Sequence, residues 1–364
     1  MSFGKKISKW SGRVLATLSV ALVVMGSVSC SNNIGNELPE DEQTGLLSVS
    51  IVPKTKATGT IHGVQEDDNN VSTLEVFVFK NEGADAGVLD AYKKLAAEEL
   101  SSLANIQVQT TKGSKVIYAV ANSHKDNWTG VNTLQQFKSV LSSLQKENLK
   151  SFTMVGSATS VVKEATSVNI DISRLVARIH LTGIKTNFEG TPYAGATLKN
   201  VKAYLINVTG DIHYADGTPA TTPLVLNANR FNSGNVSGCA MTGMLYDEIA
   251  QEIGDSGYKT AHYFYCYENM LTDESDDNKF TRLVIQADLN GTTYYYPINI
   301  NRSGYGYSST NGHAGIKRNT SYSVDVTITR PGSLNPDSNL EFGAVTAKVN
   351  VMNWETIPVA NVGF

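Results

Sequence analysis

Alternation of apolar and polar positions is clearest in the stretch GLLSVSIVPKTK at 45–56, where Leu47, Val49 and Ile51 interleave with Ser48, Ser50 and Val52. A side-chain period of two is that of a half-buried β-strand, predicted here over 46–52. Pro53 ends its ladder, and 53–59 carries Lys54 and Lys56 with no large apolar residue, the composition of a loop open to a trypsin-like protease. A strand that folds into a sheet and is then freed by one cut leaves an apolar groove, which another chain's strand can fill.

Further along, TLEVFVFK at 73–80 is apolar on both faces and reads as a central strand. Leu89, Tyr92, Ala96, Leu100 and Leu103 recur at helical spacing and predict an amphipathic helix over 88–103. Leu134, Phe137, Leu141 and Leu144 predict a second helix, with Asn132 or Thr133 as its N-cap. Strands are expected at 115–122, 152–155 and 167–172. A composition change at 171–174 then marks a domain boundary, beyond which Leu175, Ala177, Ile179 and Leu181 should face inward and Arg178, His180 and Thr182 outward. Later strands are expected at 198–208, 263–267, 282–289, 293–300, 321–329 and 344–352, with Asn290-Gly291 as a type I′ hairpin turn. The weakly periodic region 207–257, rich in Gly, Asn and Thr, reads as surface loops, where binding specificity would sit. This pattern predicts an all-β chain of two tandem antiparallel β-sandwich domains, 45–172 and 173–364, with a few short helices. The tail WETIPVANVGF at 354–364 is apolar at Trp354, Ile357, Val359, Val362 and Phe364 and needs burial, as the last strand of its own domain or as a strand donated to a neighbour.

Composition sharpens this picture. At 364 residues, 41% hydrophobic and only 18% charged, with abundant Ser, Thr, Asn and Gly, the chain reads as a secreted β-rich protein. The net charge is -4 at pH 7, and a mildly acidic body argues against nucleic-acid binding. Residues 1–29 form a signal segment: Lys5, Lys6, Lys9 and Arg13 precede an apolar run at 14–25, shorter than the roughly 20 residues that span a bilayer. Gly26-Ser-Val-Ser-Cys30 resembles a bacterial lipobox, with Ser27 where that pattern usually has leucine, and an ordinary signal peptide ending beside a cysteine is the second reading. Acylated at Cys30, the precursor would be held in a membrane, and by analogy with such lipoproteins Ser31 in place of aspartate points to the outer one. The acidic stretch 30–44 then serves as a flexible tether. Cys239 and Cys266 permit one disulfide, but nothing in the sequence brings them together, and Cys266 reads as a small buried apolar residue.

No catalytic constellation emerges. His62, His124, His180, His213, His262 and His313 lack metal-binding spacing. Gly234-Asn-Val-Ser237-Gly238 does not have the spacing of a nucleophile elbow, and the acidic run 273–278 lacks the glycine and spacing of a calcium loop. Tyr263, Tyr265 and Tyr267, with Tyr294, Tyr295 and Tyr296, are read as cross-strand packing pairs before sugar-stacking platforms. The residues thus predict no enzyme, no metal and no cofactor.

The strand at 46–52 with its basic loop, RLVARIHLTGI at 174–184, TYYYPINI at 293–300, KRNTSYSVDVTITRPGSLNPDSN at 317–339 and VNVMNWETIPV at 349–359 together resemble the FimA and Mfa-type fimbrillins, the type V pilins of Bacteroidetes. That resemblance implies two transthyretin-like sandwiches. It also implies export as a lipoprotein acylated on Cys30 and cleavage of the Lys56-Ala57 bond, with Lys54 competing, by a surface trypsin-like protease. Lysine stands there where the best-known members have arginine. Release of Leu46, Leu47, Val49 and Ile51 would be followed by strand exchange with the C-terminal segment of another subunit, giving an adhesive fimbrium. The alternative is a tip or monomeric surface lipoprotein that binds a host ligand or glycan through loops of the second domain.

Overall fold

The computed structural model of the chain describes residues 43–53, 70–221, 224–228, 236–239, 241–271, 279–304, 306–309, 312–336 and 344–354. Its first strands are β1 (Thr44–Pro53), β2 (Leu74–Lys80), β3 (Leu89–Lys94), β4 (Ile106–Thr111) and β5 (Gly113–Ala121). A short helix α1 (Leu134–Ser139) precedes β6 (Leu141–Ser143), β7 (Met154–Val162) and β8 (Ala165–Arg174). Seven of these strands hydrogen-bond in the order β3-β2-β5-β7-β8-β1-β4. The ladder folds over on itself at β8, whose last residues, Ser173 and Arg174, pair with β7 while Ala165 to Ile172 pair with β1. A strand that switches sheets in this way makes the corner of a sandwich. The crossing is tight: a Cβ on Gly156 would lie 2.0 Å from the Asp171 carbonyl oxygen. Between the layers lies a core of Leu47, Val49, Ile51, Leu74, Val76, Val78, Ile106, Val108, Ile117, Ile170 and Ile172.

The strand β2 is buried on both faces because Phe77 and Phe79 point away from that core into a second one. There Phe77 meets Trp128 and Phe137, each with ring centroids 4.9 Å away. This second core continues through β9 (Val176–Thr186), β10 (Leu198–Ile206), β11 (Val208–Thr209), β12 (Asp211–His213), β13 (Val225–Ala228), β15 (Tyr246–Ile249), β16 (His262–Tyr267), β17 (Arg282–Leu289), β18 (Thr292–Asn299), β19 (Thr320–Ile328) and β20 (Val345–Asn353), and β14 (Val236–Cys239) pairs with β13. Two four-stranded sheets carry it, β16-β9-β19-β20 and β15-β10-β17-β18. Asn290 and Gly291 both have positive φ and close the β17-β18 hairpin, as a type I′ turn requires. Most ladders are antiparallel, but β1 with β8, β9 with β19, and β13 with β14 run parallel. The first two pairs join strands far apart in sequence, where no hairpin dictates direction.

Three expectations of secondary structure are corrected. The region 88–103 is not a helix: β3 and a 3₁₀ turn at Ala97–Ser101 occupy it. The edge of β2 takes a partner there, pairing Phe77 with Tyr92 and Val78 with Ala91, and that tertiary ladder overrides a local helical period. The second helix stops at Ser139, because β6 turns out to pair with β12. Its start is as expected, with Thr133 Oγ1 accepting from Gln136 N and Gln136 Oε1 accepting from Thr133 N. The region 207–257 is not only loop, since it supplies β11 to β15 and buries Tyr214, Leu226, Leu245, Ile249 and Ile253.

Candidate functional site

β1 is gripped on both sides. Its residues 44–49 pair antiparallel with β4, and 46–53 pair parallel with β8. The alternation in the sequence decides which side chains go in: Leu47 and Val49 are 0% exposed and Ile51 is 5% exposed, whereas Leu46 and Val52 are 44% and 47% exposed. Leu47 lies opposite Val108 and Thr166, Val49 opposite Ile106 and Val168, and Ile51 opposite Ile170. On the outer face Gln107 Nε2 donates to Ser48 Oγ at 3.2 Å, and the Asn105 backbone N–H donates to Ser50 Oγ at 3.2 Å. The outer hydroxyls therefore register the strand against β4.

The entrance to β1 is built tightly. Leu46 N donates to the Glu164 carbonyl at 3.0 Å, and Lys112 N donates to the Gln43 carbonyl at 2.7 Å. A Cβ on Gly45 would meet the Lys163 carbonyl oxygen at 2.3 Å, so this approach admits only glycine. Beside it opens a cavity of about 790 Å³ lined by Glu82, Lys112, Gly113, Val162, Lys163 and Glu164. Removing β1 would leave a slot between β4 and β8, floored by the inner core and open at this end.

Among the tail residues expected to matter, Trp354 is described, and it is 4% exposed within its own chain. The Arg174 and Arg178 guanidinium carbons lie 4.3 and 4.9 Å from its ring centroid, a cation–π arrangement. Phe152 and Tyr265 complete the aromatic nest. Arg174 Nη1 donates to Asn319 Oδ1, Arg178 Nε to Ser321 Oγ, and Trp354 N to the Asn319 carbonyl. Arg178 was expected to face outward; it is buried because its charge is satisfied against an aromatic face that comes from the far end of the sequence. Beside it, His180 stacks on Tyr263, and burial with the Arg178 charge lowers its pKa to about 4. No pattern in β9 itself signals the clamp; the signal is Trp354, an aromatic residue ending an alternating stretch.

Cys30, Lys54, Lys56, Ala57, Ile357, Val359, Val362 and Phe364 lie outside the described residues, as does the acidic run 273–278. Leu46, Leu47, Val49 and Ile51 come together as the slot-filling strand. Cys266 is a free, buried thiol whose pKa burial pushes up. Tyr265, Tyr267 and Tyr296 are buried in the core and offer no platform for a sugar. Among the described residues no three His, Cys, Asp or Glu side chains are placed to hold a metal ion. Glu147 is fully buried, accepting from Thr153 N and the Tyr267 hydroxyl, and desolvation raises its pKa.

The family profile for the Major fimbrial subunit protein (FimA) matches residues 47–209, and that for the FimA4 pilin C-terminal domain matches 263–354. The chain is 24% identical over 363 residues to the Major fimbrium subunit FimC of Porphyromonas gingivalis, covering 97% of this chain and 72% of that one. It is 23% identical over 384 residues to the Major fimbrium subunit FimA type-2 of the same organism, covering 92% and 96%. Its fold matches the crystal structure of a fimbrilin from Porphyromonas gingivalis with a TM-score of 0.61 at 17% identity, over 85% of this chain and 97% of that chain.

Proposed function

Since the chain belongs to the major fimbrial subunit (FimA) family, we propose that this structural subunit of a cell-surface fimbrium joins its fibre by strand exchange at β1. In this reading the precursor is exported, acylated on Cys30 and held at the outer membrane. A surface trypsin-like protease cuts at Lys56-Ala57, or at Lys54, and β1 leaves. The C-terminal segment of another copy then fills the slot, and the finished fibre mediates adhesion to a host ligand or glycan.

The observation that carries this reading is the place of β1: inserted between two strands, with every inward side chain buried and a lysine-bearing stretch directly after it. Three buried apolar side chains at about 1.5–3 kcal/mol each make the slot too unfavourable to stay empty once opened. They also keep the uncut precursor from polymerising early. An enzyme is not the reading, because the relatives are fimbrial subunits by name.

Mild trypsin digestion of the precursor lacking its signal segment, followed by intact mass and size-exclusion chromatography, tests the scheme. Cleavage after Lys54 or Lys56 with a ladder of oligomers, abolished by deleting 355–364, is the expected result. A cut protein that stays monomeric with β1 bound would overturn it.

A further inference from the structure

We infer that the incoming strand enters the slot in one register: Ala360, Val362 and Phe364 of a second copy take the places of Leu47, Val49 and Ile51, while Asn361 and Gly363 take those of Ser48 and Ser50. The inference rests on the strand-exchange reading and adds the residues that make the joint.

The slot demands three apolar side chains at alternate positions, with small polar groups between them facing Asn105 and Gln107. The tail IPVANVGF at 357–364 has two phases. One places Ile357, Val359 and Asn361 inward, with Glu355 preceding them, so any three consecutive inward positions include Glu355 or Asn361. A buried amide or carboxylate facing Ile170 and Val108 would go unsatisfied. The other phase gives Ala360, Val362 and Phe364, apolar throughout, and sets Asn361 beside Gln107, where a side-chain amide can replace the Ser48 hydroxyl. Val359 then takes the place of Leu46, a position that already tolerates a half-exposed apolar side chain.

Pro358 fixes where the ladder begins. It would fall on Gly45, where a Cβ meets the Lys163 carbonyl oxygen at 2.3 Å, and it has no N–H to donate. Pairing therefore starts at Val359, and Pro358 stays in the open cavity at the mouth. From the Trp354 clamp to Ala360 the chain reaches at most about 20 Å. The two folds are thus held nearly in contact, and the residues between clamp and plug act as a short coupling.

Direction identifies the occupant. A tail running as β1 does keeps the antiparallel ladder to β4 and the parallel ladder to β8. The chain's own tail starts from Trp354 beside Arg174, beyond the Pro53 end of its own slot. Entering from there it would run the opposite way and set Asn361 beside Asn105 instead of Gln107. A second copy meets no such constraint.

The test mixes two precursors, one carrying Asn361→Cys and the other Gln107→Cys, cuts both with trypsin and oxidises them. The expected product is a disulfide-linked pair of chains, with no pair when Asn105→Cys replaces Gln107→Cys. In parallel, Ala360→Asp and Val362→Asp should lower oligomer yield about tenfold or more, and Val359→Asp and Asn361→Asp by no more than about twofold. Each variant must still accept the tail of an unaltered subunit, which shows that it folds. Sensitivity at Ile357 and Val359 instead, or linkage through residue 105, overturns the register, and linkage within one chain overturns the second copy as occupant. Polymers that survive deletion of 355–364 would sink the strand-exchange reading itself.

Discussion

Trp354 is held by Arg174, whose guanidinium carbon lies 4.3 Å from the indole centroid. Arg174 is the last residue of β8, the strand that forms one wall of the slot around β1. The last described residue of the tail is therefore fixed to the strand that flanks β1, and in the proposed fibre a pull on the tail would load the sandwich corner instead of a free end.

That arrangement predicts a large effect of Trp354→Ala. Loss of a fully packed indole leaves a cavity and strips two buried arginines of their aromatic face, a loss of about 3–5 kcal/mol in the intact chain. Trp354→Phe should keep more than half of it. Urea unfolding followed by circular dichroism measures both, and an Ala variant within about 0.5 kcal/mol of the parent would show that the clamp is idle.

A second prediction separates stability from exchange. Val49 is completely buried in β1, so Val49→Ala should weaken the intact chain by about 1–2 kcal/mol. Under the proposed strand exchange β1 is discarded on assembly, so the same change should speed release of the cut strand by about tenfold and leave the finished polymer as stable as the parent's. The rate of appearance of free β1 peptide, followed by mass spectrometry after cleavage, decides it. A slower release would mean that the strand is not displaced.

Much of this was legible in the sequence, and the boundary is physical. The alternation from Leu46 to Val52 gives β1 and its inward residues, because a half-buried strand writes its face into a period of two. Asn290-Gly291 gives a hairpin because few residue pairs accept positive φ twice. The burial of Arg178 is not readable from β9, since its partner Trp354 arrives from the opposite end of the chain. The helical spacing of Leu89, Tyr92, Ala96 and Leu100 misleads because the unpaired edge of β2 recruits that segment as β3. Strands of two to four residues, such as β11 to β15, are too short to show any period at all.

The corner itself can be probed at Gly156. A methyl group there would sit 2.0 Å from the Asp171 carbonyl oxygen, at the place where β8 leaves β7 to join β1. Gly156→Ala should force the strands apart, lowering stability by about 2 kcal/mol or more and loosening β1 as well. Gly254→Ala makes only ordinary contact, 3.5 Å to Thr197 Cγ2, and should change little. Hydrogen exchange of the β1 amides distinguishes the two; equal protection in both variants would refute the role of the crossing.

His180 gives the intact chain an acid limit. Burial, with a smaller contribution from the Arg178 charge, lowers its pKa from 6.5 to about 4 in the folded chain. A depressed folded value means that the neutral ring is preferred by the native state. The stabilisation is therefore fully present above pH 6.5 and is lost as pH falls through the window from 6.5 toward 4. A shift of this size corresponds to about 3 kcal/mol at most, and partial exposure of the ring reduces it to about 1–2 kcal/mol. His180→Gln should flatten the stability of the intact chain across that window, while Arg178→Met should only narrow the effect, because burial is the larger cause. Urea midpoints at a series of pH values measure all three proteins. Should the His180→Gln profile track the parent's, the acid sensitivity belongs to another group.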